Sequence, residues 1–247
     1  MSFEKLSDLN GQVAVITGAN GVVARAIAKR LHKLGATVIG IARTDSSDIR
    51  DFYVSINGII YFADVTDTKA IKQIASEIPR CDILINNAGW TKIVPHHDLN
   101  GLTDEDLDKI LNVNLRSYFT TVREFSGLLK QSENALIINI TSGSAEGMGY
   151  GSNIMYAASK SAINGLTKDL ARALAPKIRV IGISPPMISD SNFAGYSQDV
   201  KIKAGMKTPL RRSSTSEDIA NAVEAYTTLV RFTTGTIVQV DGGRCLP

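Results

Sequence analysis

Cysteine is scarce in this sequence: two residues, Cys81 and Cys245, lie far apart and in no metal-ligand spacing. A disulfide framework is therefore excluded, and two lone thiols fit a reducing compartment. Histidine occurs three times. The adjacent pair His96-His97 has no carboxylate or thiolate at a ligand spacing, so a solvated loop is expected there and no metal site. No apolar run approaches the roughly 20 residues needed to cross a bilayer. Charge of one sign is also lacking. The 27 basic and 24 acidic residues leave a net charge of +3, and the basic ones are scattered rather than clustered. Nucleic-acid and membrane partners are thus not indicated, whereas anionic small ligands such as phosphates remain compatible. Met1 to Gly11 carries Glu4 and Asp8 and no apolar h-region, so no signal peptide is expected and the cytoplasm is the default location. Low-complexity segments and short-period repeats are missing too.

What is present is an ordinary globular composition, 44% hydrophobic and 21% charged over 247 residues, enough to bury a full core. Short β-branched runs alternate with longer amphipathic stretches. Strands are expected at Val13–Thr17, Thr37–Ala42, Ile59–Ala63, Ile83–Ile85, Ala135–Thr141, Ile178–Ser184 and Thr236–Val240. Helices are expected at Val22–Leu34, Asp67–Glu77, Thr103–Lys130, Met155–Leu174 and Ser216–Leu229. Strands apolar on both sides imply a sheet covered on both faces, and the alternation implies parallel pairing. The chain reads as a single α/β domain over residues 1–247, a doubly wound Rossmann fold. One irregular stretch, Pro185 to Arg212, opens with two prolines and holds Met187, Phe193, Tyr196 and Met206. Long irregular segments in compact domains are often binding loops, and this one is the candidate substrate loop.

Three local patterns carry chemistry. The turn Thr17-Gly18-Ala19-Asn20-Gly21 follows the first strand and opens the first helix, where free N–H groups can meet a pyrophosphate. Glycines there also serve turn geometry alone. Arg43 ends the second strand, and no Asp or Glu occurs between Ala36 and Thr44. A carboxylate near that point would suit a ribose 2′-OH, whereas an arginine suits a 2′-phosphate, which favours NADP over NAD. Finally, Tyr156 and Lys160 stand four apart on an expected helix and so share one face. An ammonium near a phenol lowers its pKa from about 10, so the phenol could exchange a proton with a carbonyl or alcohol oxygen. Ser142, at a strand's carboxyl end, could hold that oxygen, and Asn114 is a mediocre helix former inside an expected helix.

Together these segments resemble the short-chain dehydrogenase/reductase family over nearly the whole chain. The markers occur in order: Thr17-Gly18, Asp64-Val65, Asn86-Asn87-Ala88-Gly89, Asn114, Ser142, Tyr156 with Lys160, Ile178-Arg179-Val180, Pro185, and Val240-Asp241-Gly242-Gly243. The resemblance implies a mostly parallel seven-stranded sheet in the order 3-2-1-4-5-6-7. It implies Tyr156 as acid/base, Lys160 lowering its pKa and bonding the nicotinamide ribose, Ser142 holding the reacting oxygen, and Asn114 supporting a water that relays protons to Lys160. It implies a cofactor cleft formed by Gly18, Asn20, Gly21, Val22, Val23, Arg43, Asp64, Val65, Asn87, Ala88, Gly89, Pro185 and Ile188, the last through backbone groups. A homo-oligomer, tetramer or dimer, is also implied. Ala157, Ala158, Ala162 and Gly165 would allow close helix approach, either between copies or within one chain.

The sequence departs from the family pattern at several points. Val22 and Ala24 stand where the turn usually has glycine, Pro186 replaces another glycine, Asp190 replaces a threonine, and Ile181 replaces an asparagine. A β-branched Val22 resists positive φ, so Gly21 is expected to take over the tight turn. Asp190 is expected to point away from a pyrophosphate. The expected substrate wall is Trp90, Ile93, Ser144, Met148, Tyr150, Met187, Phe193 and Tyr196, which suits a hydrophobic ketone or secondary alcohol. Three readings remain: an NADPH-dependent ketoreductase resembling 3-oxoacyl-carrier-protein reductases, an enzyme of the same fold oxidising a secondary alcohol of a steroid, sugar or secondary metabolite, and a non-catalytic NADP-binding sensor or scaffold. A carrier-protein partner would need a basic patch beside the cleft, for which Arg123, Lys130 and Arg172 are candidates.

Overall fold

The computed structural model describes residues 8–147, 151–193 and 195–246. Seven strands form one parallel sheet: β1 Val13–Thr17, β2 Thr37–Ala42, β3 Ile59–Phe62, β4 Ile83–Asn86, β5 Ala135–Ile140, β6 Ile178–Ser184 and β7 Ile237–Gln239. Their spatial order is β3-β2-β1-β4-β5-β6-β7, as the resemblance implied. The reversal between β1 and β4 leaves a crevice at their carboxyl ends, which is where such sheets bind ligands.

Period-two alternation splits the strands between two cores. Ala14 and Ile16 of β1 face one side and Val15 the other. Helices α1 Val22–Lys33, α2 Ser47–Ser55 and α8 Ser216–Thr228 cover the first face; α3 Thr68–Glu77, α5 Ser117–Leu129 and α6 Ile154–Leu174 cover the second. Alanines at 24, 28 and 220 let α1 and α8 pack closely, and Arg30 of α1 ties them by pairing with Glu217 at 2.9 Å and Glu224 at 2.7 Å.

Three elements differ from the sequence reading. The stretch 103–130 is not one helix: α4 Asp104–Leu111 passes into a π-helical turn, Asn112–Arg116, and only then into α5. Helix α2 and a helix α7, Gln198–Met206, fill stretches read as loop. Helix α2 turns Ile49, Phe52 and Tyr53 toward the core, whereas α7 lacks an apolar stripe and buries Lys201 and Gly205. The candidate substrate loop at 185–212 is therefore an extended segment followed by a helix. Its start is tied to the segment before α8 by an isolated bridge between Ile188 and Ser214.

Candidate active site

A cleft of about 470 Å³ opens at the carboxyl ends of β1, β2, β4, β5 and β6. Every residue expected to hold a cofactor lines it: Gly18, Asn20, Gly21, Val22, Val23, Arg43, Asp64, Val65, Asn87, Ala88, Gly89, Tyr156, Lys160, Pro185 and Ile188. At its floor Gly18 takes the left-handed step, with φ +66°. A Cβ there would stand 2.8 Å from the Ala88 Cα, so only glycine fits both the turn and the close approach. Gly21 does not take over this step. It sits at φ −68° as the N-cap of α1, and Val22 is the first helical residue, partly buried against the core. Valine is unstrained there because the positive φ falls four residues earlier. The first turn of α1 has no capping side chain and no acidic residue, so its N–H groups face the cleft unopposed.

The Asn87-Ala88 segment clamps this turn. Asn87 Nδ2 donates to the Thr17 and Gly18 carbonyls at 3.1 and 3.3 Å, while the Asn87 and Ala88 amides donate to Thr17 Oγ1 at 3.1 and 3.2 Å. Behind it, Asn86 Nδ2 donates to Asn139 Oδ1 at 2.9 Å, and Asn139 Nδ2 to Thr167 Oγ1 at 2.9 Å, a buried chain that registers β4, β5 and α6.

Helix α6 presents the reactive groups. Its N-cap, Asn153, accepts from the Tyr156 amide at 2.6 Å and is itself pinned by Nδ2 to the Lys92 carbonyl at 2.7 Å. The Tyr156 phenol is hydrogen-bonded by Ser142, the N-cap of a short turn at the end of β5. Ser142 also shares a proton with Ser144 Oγ at 2.8 Å. Lys160 lies beneath, 3% exposed, and Nζ donates to the Ile140 carbonyl at 2.8 Å and to the Tyr118 hydroxyl at 3.3 Å.

The expected depression of the phenol pKa does not appear. Enclosure pushes Tyr156 up to about 12, against which the Ser142 hydrogen bond works, and burial pushes Lys160 down to about 7. The physical reason is orientation: Nζ is spent on Ile140 and Tyr118 and lies 5.9 Å from the Tyr156 ring centroid. Desolvation then dominates both groups.

Asn114 is brought to the site but not into the cleft. The π turn aims its fully buried amide at Trp90, whose N–H it accepts at 2.8 Å and whose carbonyl it bonds at 3.0 Å; Nδ2 also reaches Ser159 Oγ at 3.1 Å. Its side chain thus joins the segment after β4 to α6. Of the expected substrate wall, Trp90, Ser144, Met187, Phe193 and Tyr196 line the cleft. Met148 and Tyr150 fall outside the described residues. Ile93 is half exposed and lines nothing. Asp190 does turn away: its carboxylate accepts from Ser216 N at 3.0 Å and Ser216 Oγ at 2.5 Å, at the start of α8. The basic candidates Arg123, Lys130 and Arg172 do not border the cleft. Lys130 caps the end of α5 and Arg172 lies in the last turn of α6. In a parallel sheet the helices run back, so these ends lie away from the strands' carboxyl ends.

A family model described as "Enoyl-(Acyl carrier protein) reductase" matches residues 18–244. The 3-oxoacyl-[acyl-carrier-protein] reductase of Rickettsia bellii is 32% identical over 246 residues, covering 96% of this chain and 98% of that protein. Among solved structures, a dehydrogenase/reductase from Sinorhizobium meliloti superposes with a TM-score of 0.90 at 30% identity, covering 98% of each chain. A 3-oxoacyl-[acyl-carrier protein] reductase with bound NAD from Brucella melitensis superposes with a TM-score of 0.87 at 26% identity, covering 100% of this chain and 97% of that one. The chain belongs to the short-chain dehydrogenase/reductase family. It is an oxidoreductase acting on CH–OH and ketone groups, and this leaves the sensor or scaffold reading without support.

Members of the family use a nicotinamide dinucleotide, and the cleft fits one. Gly18 clears the turn, the α1 terminus offers N–H groups, and the buried Thr141 hydroxyl lines the cleft with no partner of its own. Sequence reasoning missed Thr141, Lys201, Gly205, Thr208, Ser213 and Arg244, all of which line the cleft. Lys201 and Gly205 share one face of α7, a signal hidden because the face is not apolar, and Thr208 follows just beyond that helix. Among the described residues no group of His, Cys, Asp and Glu could hold a metal ion, and no helix is long and apolar enough to cross a membrane.

Proposed function

We propose that this chain is an NADP(H)-dependent ketoreductase that interconverts a ketone and a secondary alcohol, with Tyr156 as the acid/base. The observation that carries the reading is the Ser142 hydroxyl on the Tyr156 phenol at the mouth of a dinucleotide-shaped cleft, with Lys160 directly below. A bound nicotinamide would supply or accept the hydride. The chain's own residues do the rest. Ser142 holds the substrate oxygen by a hydrogen bond, and Tyr156, protonated at neutral pH, donates its proton to that oxygen as the carbonyl becomes an alcohol. Lys160, poised to titrate near 7, returns a proton to the phenol side of the site. Asn114 fixes Trp90, and Trp90, Met187, Phe193 and Tyr196 exclude water around the reacting carbon.

Arg43 at the end of β2 would pair with a 2′-phosphate, Asp64 and Val65 would face adenine, and the α1 terminus would hold the pyrophosphate. The names of the relatives favour 3-oxoacyl thioesters as substrates over sugars, and the apolar wall agrees. In solution we expect a soluble, cytoplasmic homo-oligomer. Gly165 of α6 faces open space and Ala158 is exposed, so these two small residues are not needed inside the chain; Phe119 of α5 is half exposed.

The test is Tyr156→Phe assayed by NADPH absorbance against a ketone series. Turnover should fall about 10²- to 10⁴-fold while NADPH still binds. Retained turnover would remove Tyr156 from the mechanism.

A further inference from the structure

We propose that Lys201 is an anion contact carried by the substrate loop, an ammonium that pairs with a phosphate or carboxylate oxygen of a ligand in the cleft. The inference rests on the dinucleotide reading above and extends it to a residue outside the family markers.

Lys201 lies on α7, within the segment between Pro185 and Arg212, and lines the cleft together with Ala204, Gly205 and Thr208. Lys201, Ala204 and Gly205 recur at helical spacing, so α7 turns one face inward, and Thr208 follows just beyond its end. The approach is close. A Cβ at Gly205 would stand 2.3 Å from the Ser213 amide, so glycine lets α7 seat against the following segment, and Ser213 Oγ donates to the Lys201 carbonyl at 2.6 Å. Lys201 is consequently 4% exposed.

A lysine this buried ordinarily pairs with a carboxylate. Among the described residues the ammonium meets only the amide oxygen of Asn192, at 3.3 Å. The nearby carboxylate of Asp190 is spent on the start of α8, and Asp199 lies two residues along α7 on its exposed side. The cleft as a whole is short of negative charge. Among the described residues, Arg43, Lys160, Lys201 and Arg244 line it against a single carboxylate, Asp64. Arg43 stands at the end of β2 and Lys160 under Tyr156, whereas Lys201 is the lysine that the substrate loop itself carries into the cleft. Asn192 adjoins Phe193, whose ring centroid is 6.1 Å from that of Tyr156, so the ammonium is held in the layer over the reacting end.

Two ligands could bring that charge: the pyrophosphate of the dinucleotide or a carboxylate on the substrate. Lys201→Met keeps the apolar stem and removes the charge, and Lys201→Arg keeps the charge. Kd values for NADPH and NADH by fluorescence, and KM values for acetoacetate and ethyl acetoacetate, separate the sources. A tenfold or greater weakening of both dinucleotides in the Met variant, restored by Arg, assigns the contact to the pyrophosphate. A tenfold rise in KM for acetoacetate with ethyl acetoacetate unchanged assigns it to a substrate carboxylate. Should neither move more than twofold, the proposal falls. Wild-type protein gives an answer even if the Met variant does not fold: NADPH or acetoacetate should protect Lys201 from an amine-acylating reagent, read by peptide mass spectrometry, and protection by neither overturns the idea. Binding and protection need no turnover, so an enzyme inactive on every ketone would refute the ketoreductase reading without touching this one.

Discussion

Lys160 is the residue at which the physics of this site is most sharply drawn. It loses almost all contact with water and gains a carbonyl and a phenol in exchange, neither of which bears a charge. Its pKa falls to about 7 because burial penalises the ammonium. An unfolded lysine keeps its proton up to about 10.4. Between those values the unfolded chain binds more protons than the folded one, so stability must rise with pH across that window. Tyr156 acts oppositely: its raised pKa, about 12, makes stability fall as pH passes from about 10 upward. We predict that the urea midpoint of the protein alone increases from pH 7 to pH 9.5 and that Lys160→Met flattens this increase. An equal rise in both proteins would remove Lys160 as its source. Arg43 poses a simpler question at the same scale. It is exposed and carries no ion pair among the described residues, so its charge is available to a ligand. Arg43→Asp should raise the NADPH Kd about 10- to 100-fold, the worth of one charge-assisted contact, and leave NADH no weaker than before. Equal wild-type affinities for the two would reject the NADP preference.

At the scale of elements, the π turn between α4 and α5 does what a continuous helix could not. A widened turn offsets the residues after it and points the Asn114 amide sideways at Trp90. That amide makes three bonds in a fully buried place. Asn114→Leu would strand the Trp90 backbone groups and cost about 3 kcal/mol, seen as a melting temperature lower by roughly 10 °C. Because those bonds set the wall beside Tyr156, KM should rise along with the instability. A variant that melts normally would show that water or another group takes over the Trp90 backbone. The same logic applies to α8, whose start is closed by a capping box of Thr215 and Asp218 and by Asp190 from the substrate segment. The residue that departs from the family pattern has a structural occupation, and the loop is tied to the helix by it.

Across the whole molecule, the outer surface of α5 and α6 stands out. Phe119 is half exposed and the small residues Ala158 and Gly165 leave α6 smooth on its outer side. An exposed aromatic ring on α5 and a helix as smooth as α6 both suit burial against a second copy. We predict that light scattering after size exclusion finds an oligomer and that Phe119→Glu shifts it to a smaller species. A wild-type protein that elutes as a monomer at every concentration would sink this.

What the sequence determined by itself is the framework and the family. Strand alternation, glycine after β1 and the Tyr156–Lys160 spacing are local patterns, and local patterns are set by backbone geometry and period. They placed all seven strands and every expected cofactor residue. What only the tertiary structure decided involves distance across the chain. The direction of the Lys160 ammonium depends on Tyr118 and Ile140, the task of Asn114 on Trp90 and Ser159, and the tight turn on Ala88 crowding Gly18. Helix α2 has an apolar face of Ile49, Phe52 and Tyr53 that is only about two turns long and went unread, α7 went unread because it buries Lys201 and Gly205, and Lys201 was invisible because a lone lysine carries no period. Desolvation has no sequence signature. It exists only once many segments close around a group, which is why the phenol and the ammonium shifted against the direction their spacing suggested.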